Sequence, residues 1–322
     1  MDSWSSQTSS RQQPSSLYAF LNRFPVIFTD TMLSLYFRYC GLSKSMVHLD
    51  DNETTMHIWA VNTHNLSRNK PNLVLIHGFG GNSKWQFIFQ VRQLTQYFNV
   101  YIPDLVFFGE SYTTKSDRSI SFQAKCVCDV LKKMRVYKYS VYAISYGGFV
   151  AYKMAEEMQV VEKLVIVSSG IVFKDGDDDR KLDHVKKTGR NVVDLLVPKT
   201  PDDLRILCRM SIHNYNIIGN LFPDFILWGF IHVDCCKKEK EELVHQLLND
   251  KPNVDLHVLT QETLLVWGEK DSVFPVEWAY QLHRHLGEKS KLEIIKEVGH
   301  AINFEAPYSL NQLIICFVLG SN

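Results

Sequence analysis

The sequence predicts an α/β protein: a mostly parallel sheet with helices on both faces and a helical insertion. Three observations carry that expectation. Apolar runs at 72–76, 100–102 and 163–167 lack polar alternation, as strands buried on both faces of a parallel sheet do. Helical patterns separate these runs at the spacing of parallel βαβ crossovers. The strand rhythm then stops over 174–256 and resumes at 262–267.

The chain of 322 residues suits one large domain with a sizeable core, since apolar residues make up 45% of it. Lys+Arg and Asp+Glu both number 35, so the net charge is zero, which argues against a nucleic-acid-binding face. Seven cysteines, none in a C-x-x-C, read as reduced thiols of a cytoplasmic protein rather than a disulfide frame. The sequons at Asn52 and Asn65 are expected to be unused. Residues 1–16 are rich in Ser and Gln and lack the apolar core of a signal peptide, although their serines leave a plastid address open. The apolar stretch 17–42 is broken by Pro25, Asp30 and Arg38, too interrupted for an integral membrane span.

In order, 1–45 reads as a disordered tail followed by one or two amphipathic helices, with Thr29 or Asp30 as N-cap and Gly41 as stop. Such a helix fits packing on the main domain; as a membrane-surface anchor it would want more Lys and Arg. The core takes up 46–173 and 257–322. It opens with a hairpin of 46–49 and 54–61 around the polar turn 50–53. After the strand at 72–76, helices are expected over 83–98 and 121–134, with a short strand at 100–102 between them. A helical cap over 174–256 begins with the acidic run 175–179, and Thr200-Pro201 starts one of its helices. Strands at 262–267 and 291–295, a helix over 276–286 and a closing helix from Pro307 complete the core.

The stretch 138–150 is central. A β-rich run reaches Ser145, and a helical pattern of Ala151, Met154, Ala155 and Met158 follows. Strand, sharp turn and helix is the context that lifts a serine hydroxyl off a sheet as a nucleophile. The turn wants small side chains two residues either side of the serine. Gly147 provides one, and Ala143 stands where glycine is usual. Taken alone, the pattern also fits a buried serine in an ordinary βα turn.

The strand ends at 77–80, Asp271 and His300 add reactive candidates. In an open parallel sheet, residues just past the carboxyl ends of strands converge on one rim. A serine hydroxyl is a poor nucleophile until a base takes its proton. His300 is the candidate base and later acid, and Asp271 would fix its tautomer. Singly, Asp271 also fits a turn and His300 a satisfied loop histidine. Asp104 fits loop bracing better than catalysis, and Asp175 is a second-choice acid. His283 and His285, two apart on a helix, face different ways and make a poor metal site.

Five motifs occur in one order: L-V-L-I-H-G-F-G at 73–80, P-D-L-V-F-F-G at 103–109, S-Y-G-G-F-V-A-Y at 145–152, W-G-E-K-D-S-V-F-P at 267–275, and G-H at 299–300. Together they resemble the α/β-hydrolase superfamily, and more narrowly plant soluble serine hydrolases and esterases. The resemblance implies an α/β-hydrolase fold with an eight-stranded sheet and the triad Ser145, Asp271 and His300. The tetrahedral intermediate of acyl transfer needs two donors, for which the backbone N–H groups of Phe79 and Tyr146 are the candidates. Phe79, Tyr146, Phe222 and Trp228 are the candidate substrate contacts.

The reading is a cofactor-free carboxylic ester hydrolase acting on a small or medium apolar molecule, such as a methyl ester of a plant metabolite or a short acylglycerol. A ligand-binding receptor that kept the triad stays open as an alternative. So does a carbon–carbon hydrolase or hydroxynitrile lyase. Epoxide hydrolases and dehalogenases place a carboxylate where this chain has Ser145.

Overall fold

A computed structural model describes residues 16–62, 64–158, 160–172, 188–215, 222–249 and 256–320. One sheet organises it, with strand order β1-β2-β4-β3-β6-β7-β8-β9 and a ninth short strand, β5 (Tyr112–Thr113), on the side of β2. The hairpin β1 (Leu42–Leu49) and β2 (Thr54–Val61) is antiparallel, and β2 meets β4 (Asn99–Pro103) antiparallel. From β4 onward every pairing is parallel: β3 (Asn72–Ile76), β6 (Tyr139–Ile144), β7 (Val161–Val167), β8 (Glu262–Gly268) and β9 (Ser290–Ile295).

The unbroken apolar runs have a direct cause, because successive strand side chains feed opposite cores. Val74, Ile76, Val141, Ala143, Ile166 and Trp267 face α3 (Ile120–Lys133), α4 (Tyr146–Glu157) and α9 (Val276–Leu286). Leu73, Leu75, Tyr142, Ile144, Val167 and Val266 face α2 (Ser83–Tyr97), α10 (Pro307–Leu319) and Phe37 of α1 (Ser16–Tyr39). Each fully buried Val, Leu or Ile contributes about 1.5–3 kcal/mol, and a two-sided sheet doubles the number of such positions per strand.

The N-terminal helix departs from expectation. Neither Thr29 nor Asp30 caps a second helix; α1 runs through both and through Pro25. The Thr29 hydroxyl donates to the Pro25 carbonyl (2.8 Å). Asp30 turns inward instead, accepting from Lys84 Nζ (2.6 Å), Trp85 Nε1 (3.1 Å) and Asn82 Nδ2 (3.2 Å) at the start of α2. An inward-bonded carboxylate has no backbone N–H to cap, so the helix continues. The hairpin also starts earlier than expected, at Leu42, because only alternate residues of β1 are shielded and its polar face hides the strand pattern.

The described part of the stretch expected to form a cap is helical: α5 (Val192–Leu196), α6 (Pro201–Ser211), α7 (Asp224–Val233) and α8 (Lys237–Asn249). Thr200 and Asp203 close a capping box at the start of α6, with Pro201 in its first turn. Helix α7 lies against α1 so closely that a Cβ on Gly229 would stand 2.1 Å from the Asn22 carbonyl. Of the tail expected over 1–16, Ser16 already belongs to α1, and residues 1–15, like the acidic run 175–179, lie outside the described residues.

Candidate active site

Strand β6 ends at Ile144, and Ser145 follows with φ 53° and ψ −120°, in the left-handed region that a non-glycine residue adopts only when its surroundings fix it. Two bonds hold the turn: Ser145 N–H donates to Val167 O, and Gly148 N–H to Ser145 O, both at 2.9 Å. Gly147 is required by close approach, since a Cβ there would lie 2.5 Å from the carbonyl oxygens of Ile76 and His77. Ala143, where glycine is usual, is fully buried and keeps its register with Ile76 and Ile166, so the extra methyl is absorbed in the core.

The other two residues arrive from the strands beyond. Asp271 follows β8 and His300 follows β9. The Ser145 hydroxyl lies 3.0 Å from His300 Nε2, and His300 Nδ1 lies 2.9 Å from Asp271 Oδ2. A carboxylate only accepts, so Nδ1 carries the proton and Nε2 presents its lone pair to the serine hydroxyl. The second carboxylate oxygen of Asp271 accepts from Val273 and Phe274 N–H, each at 2.8 Å, which fixes the acid. The Phe274 ring meets His300 edge-on at 5.4 Å and confines the imidazole.

The loop after β3 comes alongside because β3 and β6 are hydrogen-bonded neighbours. A Cβ on Gly78 would lie 3.0 Å from Ser145 Cβ, so this loop touches the nucleophile. Phe79 stacks edge-on against Tyr146 (5.6 Å) and Phe108 (5.0 Å). The two residues expected to supply the oxyanion donors are thereby neighbours, Tyr146 being the first residue of α4.

His77 and Asp104 act as braces. His77 Nδ1–H donates to Gly78 O (2.8 Å), and its Nε2 accepts from Leu105 N–H (2.9 Å). Burial holds this imidazole below its ordinary pKa, in keeping with a neutral ring. Asp104 accepts from His57 Nδ1 (2.7 Å) and Ser83 N–H (2.9 Å), and a Cβ on Gly109 would collide with its carboxylate.

Two of the expected substrate contacts stand on the helical insertion. Phe222 is exposed just before α7, and Trp228 stacks on His232 (5.3 Å) within α7. Asp175 lies outside the described residues. His283 is engaged with Ser290 (2.7 Å).

The sequence pattern missed a polar clamp under the site. Gln86 accepts from Gly78 N–H (2.8 Å) and donates to Gly78 O (2.9 Å) and Gly80 O (2.6 Å), gripping the loop on both sides of Phe79. Asn303, three residues past His300, donates to the Gln86 carbonyl (2.7 Å), and its own carbonyl accepts from Gln90 (2.9 Å). Glu305 accepts from Gly299 N–H and His213 N–H, both at 2.9 Å, fastening the histidine loop to the residues after α6. Gln86 and Gln90 sit in an expected helix and Asn303 and Glu305 before the closing one, and only folding supplies their partners. Gln86→Ala is expected to lower kcat by roughly tenfold to a hundredfold with little change in KM, because the donor on Phe79 loses its aim. Steady-state kinetics against a soluble ester checks this; an unchanged kcat would remove Gln86 from the account.

Known proteins give this geometry a family. Residues 73–310 match the model of the alpha/beta hydrolase family. The chain is 35% identical to the pimeloyl-[acyl-carrier protein] methyl ester esterase of Pseudoalteromonas atlantica, over 72% of this chain and 88% of that one. It is 23% identical to the mouse monoacylglycerol lipase ABHD6, over 77% and 76%. Among solved structures, a bacterial membrane phospholipase A superposes with a TM-score of 0.75 at 21% identity, covering 94% of this chain and 93% of that one. These relatives support the superfamily at large and do not single out its plant members. The chain belongs to the alpha/beta hydrolase family.

Proposed function

We propose that this protein hydrolyses a carboxylic ester of a small or medium apolar molecule through an acyl-enzyme on Ser145. The carrying observation is the pair of contacts at His300, 3.0 Å to the serine hydroxyl and 2.9 Å to the Asp271 carboxylate. His300 Nε2 takes the hydroxyl proton as Ser145 Oγ bonds to the ester carbonyl carbon. Asp271 stabilises the imidazolium that forms. The negative oxygen of the tetrahedral intermediate accepts from the N–H groups of Phe79 and Tyr146. The carbon–oxygen bond to the alcohol then breaks, and His300 returns the proton to that oxygen. Water repeats the sequence on the acyl-serine, with His300 as base, releasing the acid and restoring the hydroxyl. No step calls for a cofactor.

The rings of Phe79, Phe108 and Tyr146 beside the nucleophile favour an apolar acyl or alcohol group. The names of the relatives, a methyl ester esterase and a monoacylglycerol lipase, support a methyl ester or a short acylglycerol. In this reading 174–256 forms a cap over the rim, with Phe222 and Trp228 contributing to its apolar lining. All seven cysteines are free thiols, which suits a reducing compartment such as the cytosol. A panel of p-nitrophenyl, methyl and monoacylglycerol esters tests the substrate class. Turnover that depends on acyl-chain length and vanishes in Ser145→Ala is expected. Turnover of none of them, or equal turnover by both proteins, would overturn it.

A further inference from the structure

The helical insertion is bonded to the loop that carries His300 on both sides of that residue. Helix α6 stops at Ser211, where Ile212 turns extended (φ −117°, ψ 118°), and a helix end leaves its last carbonyls without intrahelical partners. The Ser211 carbonyl accepts from the N–H of Ala301 (2.8 Å), the residue directly after His300. Gly299, directly before it, donates its N–H to Glu305 Oε1 (2.9 Å). Glu305 closes the short helix Ile302–Glu305, and its other oxygen accepts from the N–H groups of His213 (2.9 Å) and Asn214 (3.5 Å). The two N–H groups flanking His300 therefore end, directly or through one carboxylate, on the stretch 211–214. A Cβ on Gly299 would stand 2.8 Å from His213 N, 2.9 Å from Glu305 Oε1 and 3.1 Å from Ser211 O, so the two segments meet with no room for a side chain.

The two sides of this junction are anchored differently. The histidine loop rests on the loop that leads to Asp271: Lys270 N–H donates to Val298 O (2.9 Å), and a Cβ on Gly268 would lie 2.1 Å from the Gly299 carbonyl oxygen. Charged side chains of α6 turn to the rest of the insertion, Arg205 to Asp224 of α7 and Asp203 to Arg190 (2.6 Å). A shift of the insertion is therefore passed to the histidine loop through Ser211 O and Glu305. Bonds to an ionised carboxylate are the stronger kind, which suits Glu305 to that load. The imidazole must stay within hydrogen-bond reach of the serine hydroxyl, and a drift of about 1 Å costs on the order of a hundredfold in rate.

Resting on the assignment of His300 as the base, we propose that Glu305 is a positioning residue that locks the His300 loop to the end of α6, so that insertion and base move as one body. Lifting α6 withdraws the imidazole from Ser145, which makes attack on the ester conditional on an insertion in place.

Hydrogen–deuterium exchange read by mass spectrometry tests the junction, and the rate of fluorophosphonate labelling at Ser145 reads its effect on the base. Glu305→Ala deletes the carboxylate, and Gly299→Ala drives a methyl into the same contact from the other side. Each is expected to speed amide exchange about tenfold or more in both 208–214 and 299–304, with β6 and β7 exchanging as in wild type. Labelling should slow by about tenfold to a hundredfold in both variants, in buffer where circular dichroism shows them folded. Glu305→Gln, which keeps one acceptor oxygen, should fall between Glu305→Ala and wild type in both readouts, a graded recovery at equal folded content that lost stability alone would not give. Exchange unchanged at 208–214, or faster exchange with labelling at the wild-type rate, would overturn the proposal. A wild type that takes no label would overturn the reading of Ser145 as nucleophile, whereas the exchange arm needs no chemistry and still decides whether insertion and histidine loop are joined.

Discussion

Replacing His300 with alanine is expected to lower kcat/KM for any accepted ester by about 10⁴-fold or more, the scale seen when a residue is removed from a serine triad. The reason is local. The base within reach of Ser145 among the described residues is the Nε2 lone pair 3.0 Å away, and without it the hydroxyl keeps its proton. Asp271→Asn should also be severe, by a different route. The amide can donate to Nδ1, which favours the tautomer with the proton on Nε2 and removes the lone pair from the serine. Folding should survive both changes, because the neighbouring loops keep their other bonds: Val273 and Phe274 N–H to residue 271, and Gly299 N–H to Glu305. Kinetics on a soluble ester with circular dichroism of the same samples separates lost chemistry from lost structure. Activity within tenfold of wild type in His300→Ala would contradict the assignment.

Asp104→Ala is expected to be the most damaging substitution for stability, by about 3–5 kcal/mol, the cost of breaking a buried pair by deleting one partner. The carboxylate joins β2 to the start of α2 through His57 and Ser83, and its removal strands a buried imidazole. Burial alone would raise its pKa, but the His57 and Ser83 hydrogen bonds outweigh burial and lower it from 3.8 to about 2. A folded-state value below the unfolded one gives stability that is complete above the unfolded pKa and lost as pH falls through the folded one. The gap in urea midpoint between wild type and Asp104→Ala should therefore be widest near neutral pH and narrow as the pH falls from about 4 toward 2. A gap constant with pH would mean the carboxylate's charge is not what stabilises the fold.

Much of the sheet was legible because two-sided burial leaves a plain mark: Leu73, Val74, Leu75 and Ile76 are apolar on consecutive positions, a pattern a half-solvated strand would not tolerate. The helix at 276–286 was legible down to its bounds, bracketed by Pro275 and Gly287. Edges were harder. The pairs at β5 cover only two residues, and β1 alternates shielded and exposed positions with Ser43, Lys44 and Ser45 among them, so neither carries a strong signal. Thr29 and Asp30 read as N-caps, yet α1 runs through both and through Pro25, whose missing N–H the helix can do without when its inner face is well packed.

At the candidate site, Ser145, Asp271 and His300 were legible because each lies shortly past the carboxyl end of a strand, and parallel topology alone brings such positions to one rim. What holds them was not. Gln86 and Asn303 are 217 residues apart, and nothing in the sequence around either distinguishes a buried clamp from a solvated side chain until β3 and β9 are placed. The rings of Phe79 and Phe108 that meet Tyr146 likewise come together only in the fold.

The central claim is that Ser145 is made nucleophilic by a neighbouring imidazole. Intact-mass analysis after exposure to a fluorophosphonate tests it most directly, because the probe needs an activated serine and no knowledge of the substrate. One adduct per chain is expected for wild type, mapped by peptide analysis to Ser145, with none in Ser145→Ala and slow or absent labelling in His300→Ala. An unmodified wild type, or labelling that proceeds equally in His300→Ala, would contradict the account.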